Sequence, residues 1–206
     1  MTPIRTTRAA QVTGTEISRS GRRSVLRPLV LGAISLLGTV ACGGSGQRPF
    51  AWVTPRRVPE GWSVARIPTG AQLAYPPGWD KTNGDPGTAT AVLLGAGGRF
   101  LGYLNVTPQQ GAEKLAGWAS FRVSHNVEEG DRHVVRLADA TALRFATGSG
   151  SCVKDSYTTE TGARYIELAC IVKGPTSASV IVGATPPGSW RRISPLLERA
   201  IAAFRA

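Results

Sequence analysis

The stretch Cys152-Val153-Lys154-Asp155-Ser156-Tyr157-Thr158-Thr159-Glu160-Thr161-Gly162-Ala163-Arg164-Tyr165-Ile166-Glu167-Leu168-Ala169-Cys170 decides the fold. Val153, Tyr157 and Thr158 on one arm, and Tyr165, Ile166 and then Ile171 on the other, are residue types that strands favour, and Glu160-Thr161-Gly162 lies between the arms. A three-residue loop ending in a left-handed glycine pairs Thr159 with Ala163, after which the numbers of every opposed pair sum to 322. That register sets Cys152 opposite Cys170 and Tyr157 opposite Tyr165. Opposed residues of antiparallel strands lie about 4.5–5.5 Å apart at Cα, inside the range a disulfide accepts. The two cysteines are therefore expected to be bonded. The rival, a reactive thiol, lacks both a Cys-x-x-Cys spacing and a positioned base.

Upstream, residues 62–67 and 72–75 are short extended segments, and Pro76-Pro77-Gly78 stops the second before Trp79 packs back onto the core. Residues 89–94 and 100–106 flank Gly95-Ala96-Gly97-Gly98 and read as another hairpin. Those glycines do not make a phosphate loop, because Phe100 replaces the third glycine of a dinucleotide fingerprint and no P-loop lysine follows. Over 109–127 the period becomes helical: Leu115, Trp118, Phe121 or Arg122, and His125 recur at three and four, with Glu113 near the start and Gly130 beyond the end. Residues 134–137, 142–146 and 177–184 are further strands, the last stopped by Pro186-Pro187-Gly188. Ile193, Leu197, Ala200 or Ile201, and Phe204 form the apolar stripe of a terminal helix. Ser194-Pro195 is either its N-cap and first-turn proline, or Pro195 lies in the first turn of a helix starting near Trp190. Together these elements predict an α+β fold, an antiparallel sheet of about six strands covered by helices.

The N-terminal segment reads as an address. Arg22-Arg23-Ser24-Val25-Leu26-Arg27 ahead of the apolar run 29–40 resembles a twin-arginine export signal, in which a receptor reads Arg22 and Arg23. A spanning helix takes about 20 apolar residues; this run is shorter and is interrupted by Gly32, Ser35 and Gly38. Val40-Ala41-Cys42 at its end resembles the bacterial lipobox, which implies a diacylglycerol thioether on Cys42. Thr39 stands where a lipobox carries an aliphatic residue, so a secretory signal cleaved nearby and an uncleaved anchor are the alternatives. The layout expected is a signal peptide over 1–41, a lipidated Cys42 with a flexible tether over 42–49, and a single domain over 50–206.

Composition narrows the partners. The formal charge of +11 falls to +6 without residues 1–27, which hold six arginines and one acid, leaving 18 basic against 12 acidic residues. A charge of this size keeps a domain soluble and favours anionic neighbours. Nucleic acid is not expected as a partner, since basic residues occur as singles and pairs such as Arg56-Arg57 and Arg191-Arg192, with no run interleaved with aromatics. With Cys42 taken by lipid, Cys152 and Cys170 remain as an even pair suited to an oxidising compartment.

Catalytic and metal chemistry is sparse. His125 and His133 are too far apart for a helical or turn metal pair, so no metal and no cofactor are expected. Gly148-Ser149-Gly150-Ser151 does not form a Gly-x-Ser-x-Gly elbow. Glu128, Glu129 and Asp131 read as a solvated turn, and Trp52, Trp62, Trp79, Trp118 and Trp190 as core. The place to look for a site is between the sheet and the helix carrying Trp118. An enzyme would have to bring His125 or His133 together with Glu128, Glu129, Asp131 or Asp155 in a cleft.

Leu73-Ala74-Tyr75-Pro76-Pro77-Gly78-Trp79 resembles the aromatic-x-Pro-x-Gly-Trp opening of the PsbP/Mog1 superfamily, and Ile201-Ala202-Ala203-Phe204 resembles its terminal helix ending in an aromatic residue. The similarity spans about 62–206. It implies an α-β-α sandwich, a kinship with LpqN-like bacterial lipoproteins, and a largely non-catalytic role with no catalytic motif to carry across. The expected function is thus an exported lipoprotein, held at the membrane through Cys42 and serving as a binding or accessory module of the cell envelope. Its partner would be an envelope lipid, a glycolipid or another protein. The alternative is an envelope hydrolase with an acid/His site.

Overall fold

Gly162 takes a left-handed conformation at φ 88°, the Thr159 amide donates to the Ala163 carbonyl at 2.8 Å, and the hairpin zips in the register derived above. Cys152 stands opposite Cys170 with Cα atoms 4.1 Å apart and the two are disulfide-bonded. The computed structural model describes residues 48–82 and 84–206. The signal over 1–41 with Arg22 and Arg23, Cys42, and the tether as far as residue 47 lie outside the described residues.

Among the described residues, nine strands and two α-helices follow in order: β1 (Ser63–Arg66), β2 (Gln72–Tyr75), β3 (Asp80–Thr82), β4 (Ala89–Leu94), β5 (Phe100–Pro108), α1 (Trp118–Glu128), β6 (Arg132–Arg144), β7 (Ser149–Thr158), β8 (Arg164–Lys173), β9 (Ala178–Thr185) and α2 (Trp190–Ala202). β1 and β2 form a separate hairpin. The other strands make one antiparallel sheet of order β3-β4-β5-β9-β8-β7-β6. The chain leaves β5 near the middle and resumes at β6 on the far edge, so α1 crosses one face, over β6 and β7. On the other face α2 and the β1–β2 hairpin close the larger core.

Alternation along the strands divides the two cores. Leu168, Cys170 and Val172 of β8 point with Leu104, Val106 and Ile181 toward Ile193, Leu197, Ile201 and Phe204 of α2, and all are buried. Gly183 lets α2 come close, because a Cβ there would lie 3.1 Å from Cδ2 of both Leu104 and Leu197. The intervening residues Ala169 and Ile171, with Val153 and Val180, pack on Trp118 of α1, whose Nε1 donates to the Ala169 carbonyl at 3.0 Å. Trp79 is core as expected, while Trp52, Trp62 and Trp190 sit half-buried at its margin.

Four elements differ from the sequence expectation. The helix placed over 109–127 begins only at Trp118: Gly111 and Gly117 take left-handed conformations, and residues 109–113 close a turn in which the Gln110 amide donates to Glu113 Oε2 at 2.7 Å. The strands placed at 134–137 and 142–146 are one edge strand, β6, bulged at three points, with His133 and Ala142 at positive φ. Such bulges bend an edge and hide its alternation. The short polar β3 adds a seventh strand on the opposite edge. Finally, α2 starts at Trp190, as the second reading of its N-terminus has it, with Ser189 as N-cap, but Pro195 falls in the second turn and not the first.

Replacing both cysteines (Cys152→Ala with Cys170→Ala) is expected to lower unfolding free energy by about 2–4 kcal/mol, the usual worth of closing a loop of this size, without changing the fold. Urea unfolding of the full chain, with far-ultraviolet circular dichroism of the native state, measures both.

Candidate functional site

The register that opposes the cysteines also opposes Asp155 and Glu167, two acids with no exposed surface, on the face that α1 covers. Like charges directly opposed across strands repel. Arg122, one turn after Trp118, answers Glu167 with a two-point ion pair: Nε to Oε1 at 2.7 Å and Nη2 to Oε2 at 3.0 Å. The Tyr157 hydroxyl lies 3.4 Å from Glu167 Oε2, and its ring packs on Tyr165 at 5.7 Å. Tyr103, Ala184, Glu167, Asp155 and Arg136 follow one another across β5, β9, β8, β7 and β6, a row that is polar on every strand but β9.

One cation thus faces two buried acids. Burial works against the charge on Arg122, but Glu167 more than offsets it and holds the guanidinium well above its ordinary range. Asp155 has no hydrogen-bond partner on either oxygen among the described residues. Burial first, then the charge of Glu167, pushes its carboxyl up to about 8, although Arg122 pulls the other way. Asp155 is therefore the member that keeps its proton near neutral pH, leaving the interior with one ion pair and one neutral acid. Burial also raises the Tyr157 hydroxyl.

The candidate residues from the sequence separate. Glu128 is exposed; Glu129 accepts from His125 at 3.3 Å, a bond that raises the imidazole above its usual range; Asp131 turns inward and is buried, not part of a solvated turn. His125 stacks on Phe121 at 5.6 Å and Phe121 on Trp118 at 5.9 Å, so the imidazole continues an aromatic run along α1. His133 is exposed on β6. Asp131 and Asp155 approach each other closely enough for Asp131 to add to the upward shift, and neither histidine joins them in a cleft. No three His, Cys, Asp or Glu side chains among the described residues are grouped to hold a metal ion.

The space between the sheet and α1, the place the sequence gives for a site, is filled by Trp118 and the ion pair. Beside α1, the sheet leaves Val92, Tyr103, Asn105 and Val182 half-buried, with Phe100 and Tyr165 edge to face at 5.7 Å. Two open clefts lie elsewhere, one of about 420 Å³ lined by Arg56, Arg57, Pro59 and Arg199, the other of about 400 Å³ along Gln109, Lys114 and the β8–β9 turn.

An antiparallel sheet between a crossover helix and a terminal helix defines an α+β sandwich of the PsbP/Mog1 kind. Matched against protein-family models and curated proteins, the sequence finds none. Among solved structures, the cyanobacterial PsbP (CyanoP) of Synechocystis sp. PCC 6803 superposes with a TM-score of 0.51 at 13% identity, covering 81% of this chain and 97% of that one. This likeness shows the PsbP-like fold and no more. A putative regulator, PA94 of Pseudomonas aeruginosa, reaches a TM-score of 0.46 at 12% identity over 70% of this chain and 96% of its own. LpqN of Mycobacterium tuberculosis, described as involved in cell envelope biogenesis, reaches 0.34 at 13% identity over 73% and 86%. Neither of these two adds to the fold assignment.

Because Asp155 binds its proton more tightly folded than unfolded, it lowers stability progressively as pH rises from about 4 to about 8. Asp155→Asn is expected to remove that slope, so that its stability relative to the parent improves between pH 5 and pH 8 by about 1.4 kcal/mol or more, one pKa unit's worth. Urea unfolding at the two pH values measures it; parallel pH dependence in both proteins would show that the proton is not on Asp155.

Proposed function

We propose that the chain is exported, anchored outside the cytoplasm by a diacylglyceryl group on Cys42, and works as a non-catalytic binding or accessory module of the cell envelope. The observation that carries the reading is the buried disulfide between Cys152 and Cys170, joining β7 to β8, since a bond of that kind fits an oxidising compartment. It leaves Cys42 as the remaining cysteine, directly after an apolar run preceded by paired arginines. The PsbP-like fold accords with an accessory role. Partner contact falls on the sheet beside α1, where Phe100, Tyr103, Asn105 and Tyr165 offer the aromatic and amide groups that protein-binding surfaces favour.

The second reading, an envelope hydrolase, has its one favourable observation in the Asp155 carboxyl, whose raised proton affinity suits a general acid. Its side chain is fully covered by the packed elements around it, which weighs against that role.

Intact mass of the membrane-associated protein tests the reading. The mass expected is that of residues 42–206 plus a diacylglyceryl group, with two alkylatable thiols appearing only after reduction. A soluble protein without the lipid would remove the anchor, and thiols free before reduction would remove the disulfide.

A further inference from the structure

The lead-in to the domain is bound to α2. Phe50 and Val53 are buried, Phe50 packs on Trp52 at 5.7 Å, and the Arg56 amide donates to the Ala202 carbonyl at the end of α2 at 3.0 Å. This bond places Arg56 and Arg57 beside Arg199, and the three line the 420 Å³ cleft with Pro59. All three arginines are exposed, the lining includes no acid, and none of them forms an ion pair among the described residues. Elsewhere in the domain some cations have partners, Arg122 in Glu167, Arg136 in Asp139 and Lys154 in the Trp190 ring, while Arg99 and Arg164 are exposed and also form no ion pair among the described residues.

The position in the chain gives this cleft its partner. Eight residue steps separate Cys42 from Phe50, the first fixed point of the domain, and an extended chain spans at most about 3.6 Å per residue. A lipid on Cys42 therefore holds this end of the domain within about 29 Å of the bilayer surface; Arg56 and Arg57 follow six and seven positions after Phe50, and Arg199 lines the same cleft. We propose that Arg56, Arg57 and Arg199 form a docking surface for anionic phospholipid headgroups, which seats the domain on the membrane with its arginine cleft down. The inference rests on the lipid-anchor reading for its geometry, while the affinity for anionic lipid belongs to the cleft itself. Each arginine near an anionic leaflet adds roughly fivefold to membrane partition, and the effect is screened by salt within a Debye length.

The test uses protein extracted from membranes, its lipid verified by mass, and reconstituted into vesicles of phosphatidylcholine alone or with phosphatidylglycerol. Phenylglyoxal modification is then followed at each arginine. Arg56, Arg57 and Arg199 are expected to react about fivefold more slowly on the phosphatidylglycerol vesicles, with Arg99 and Arg164 unchanged and the protection abolished by high salt. Equal rates on both vesicles would overturn the proposal. So would equal protection by inorganic phosphate without vesicles, which would mark a site for a soluble anion. Should the mass show no lipid, the anchor reading fails separately, and flotation at low salt tests the cleft. Binding to phosphatidylglycerol vesicles that Arg56→Gln, Arg57→Gln and Arg199→Gln together abolish supports it, and flotation indifferent to lipid charge overturns it.

Discussion

Because side chains alternate along a strand, pairing Thr159 with Ala163 sends Cys152, Leu168 and Cys170 to one face of the sheet and Val153, Asp155, Glu167 and Ala169 to the other. A slip of one residue would exchange the two sets and bury neither core. Gly162 sets this register at the turn, and the disulfide pins it seven pairs beyond Thr159 and Ala163. Everything on the two faces inherits it: the apolar surface beneath α2, the indole socket for Trp118, and the opposed acids beneath α1.

The opposed acids make the packing of α1 specific. A helix with one fully buried large apolar residue, Trp118, and a half-buried Phe121 beside it has little to fix its rotation or its position along the sheet. The fork of Arg122 meeting both oxygens of Glu167 allows one placement, two turns of helix being tied at the indole and at the guanidinium. Buried ion pairs add little net stability compared with apolar residues of the same shape, yet losing one partner costs about 3–5 kcal/mol. The protonated Asp155 beside the pair keeps the site neutral, at the expense of a carboxyl without hydrogen bonds among the described residues.

Local signals carried most of the fold. The loop Glu160-Thr161-Gly162, the two Pro-Gly stops and the stripe from Ile193 to Phe204 are short-range features whose geometry the backbone enforces nearby, and each element they bound is present. The misplaced boundaries have long-range causes. Leu115 fits a helical period, but Gly117 in a left-handed conformation ends the turn before Trp118, and the bulges of β6 depend on pairing with β7. The ion pair was the larger omission. Its signal was present in the hairpin register, which opposes Asp155 to Glu167 in strands otherwise rich in apolar residues; two acids so placed require a cation or a proton, and Arg122 is on the helix bound for that face. The residues of the export signal and Cys42 lie outside the described residues, so the sequence alone speaks for them.

The charged groups divide by role. Arg122 and Glu167 tie α1 to the sheet from inside, with Asp155 as a neutral neighbour, and the arginines beside α2 face outward toward the membrane proposed above. A double-mutant cycle on Arg122 and Glu167 tests the interior half of this division most directly. Arg122→Met alone should cost about 3–5 kcal/mol, because the buried Glu167 loses its ion-pair partner, and adding Glu167→Leu should restore at least half of that loss. Additive losses from the two substitutions would contradict it, showing that the pair does not act as a unit and that α1 is held by Trp118 and its neighbours alone.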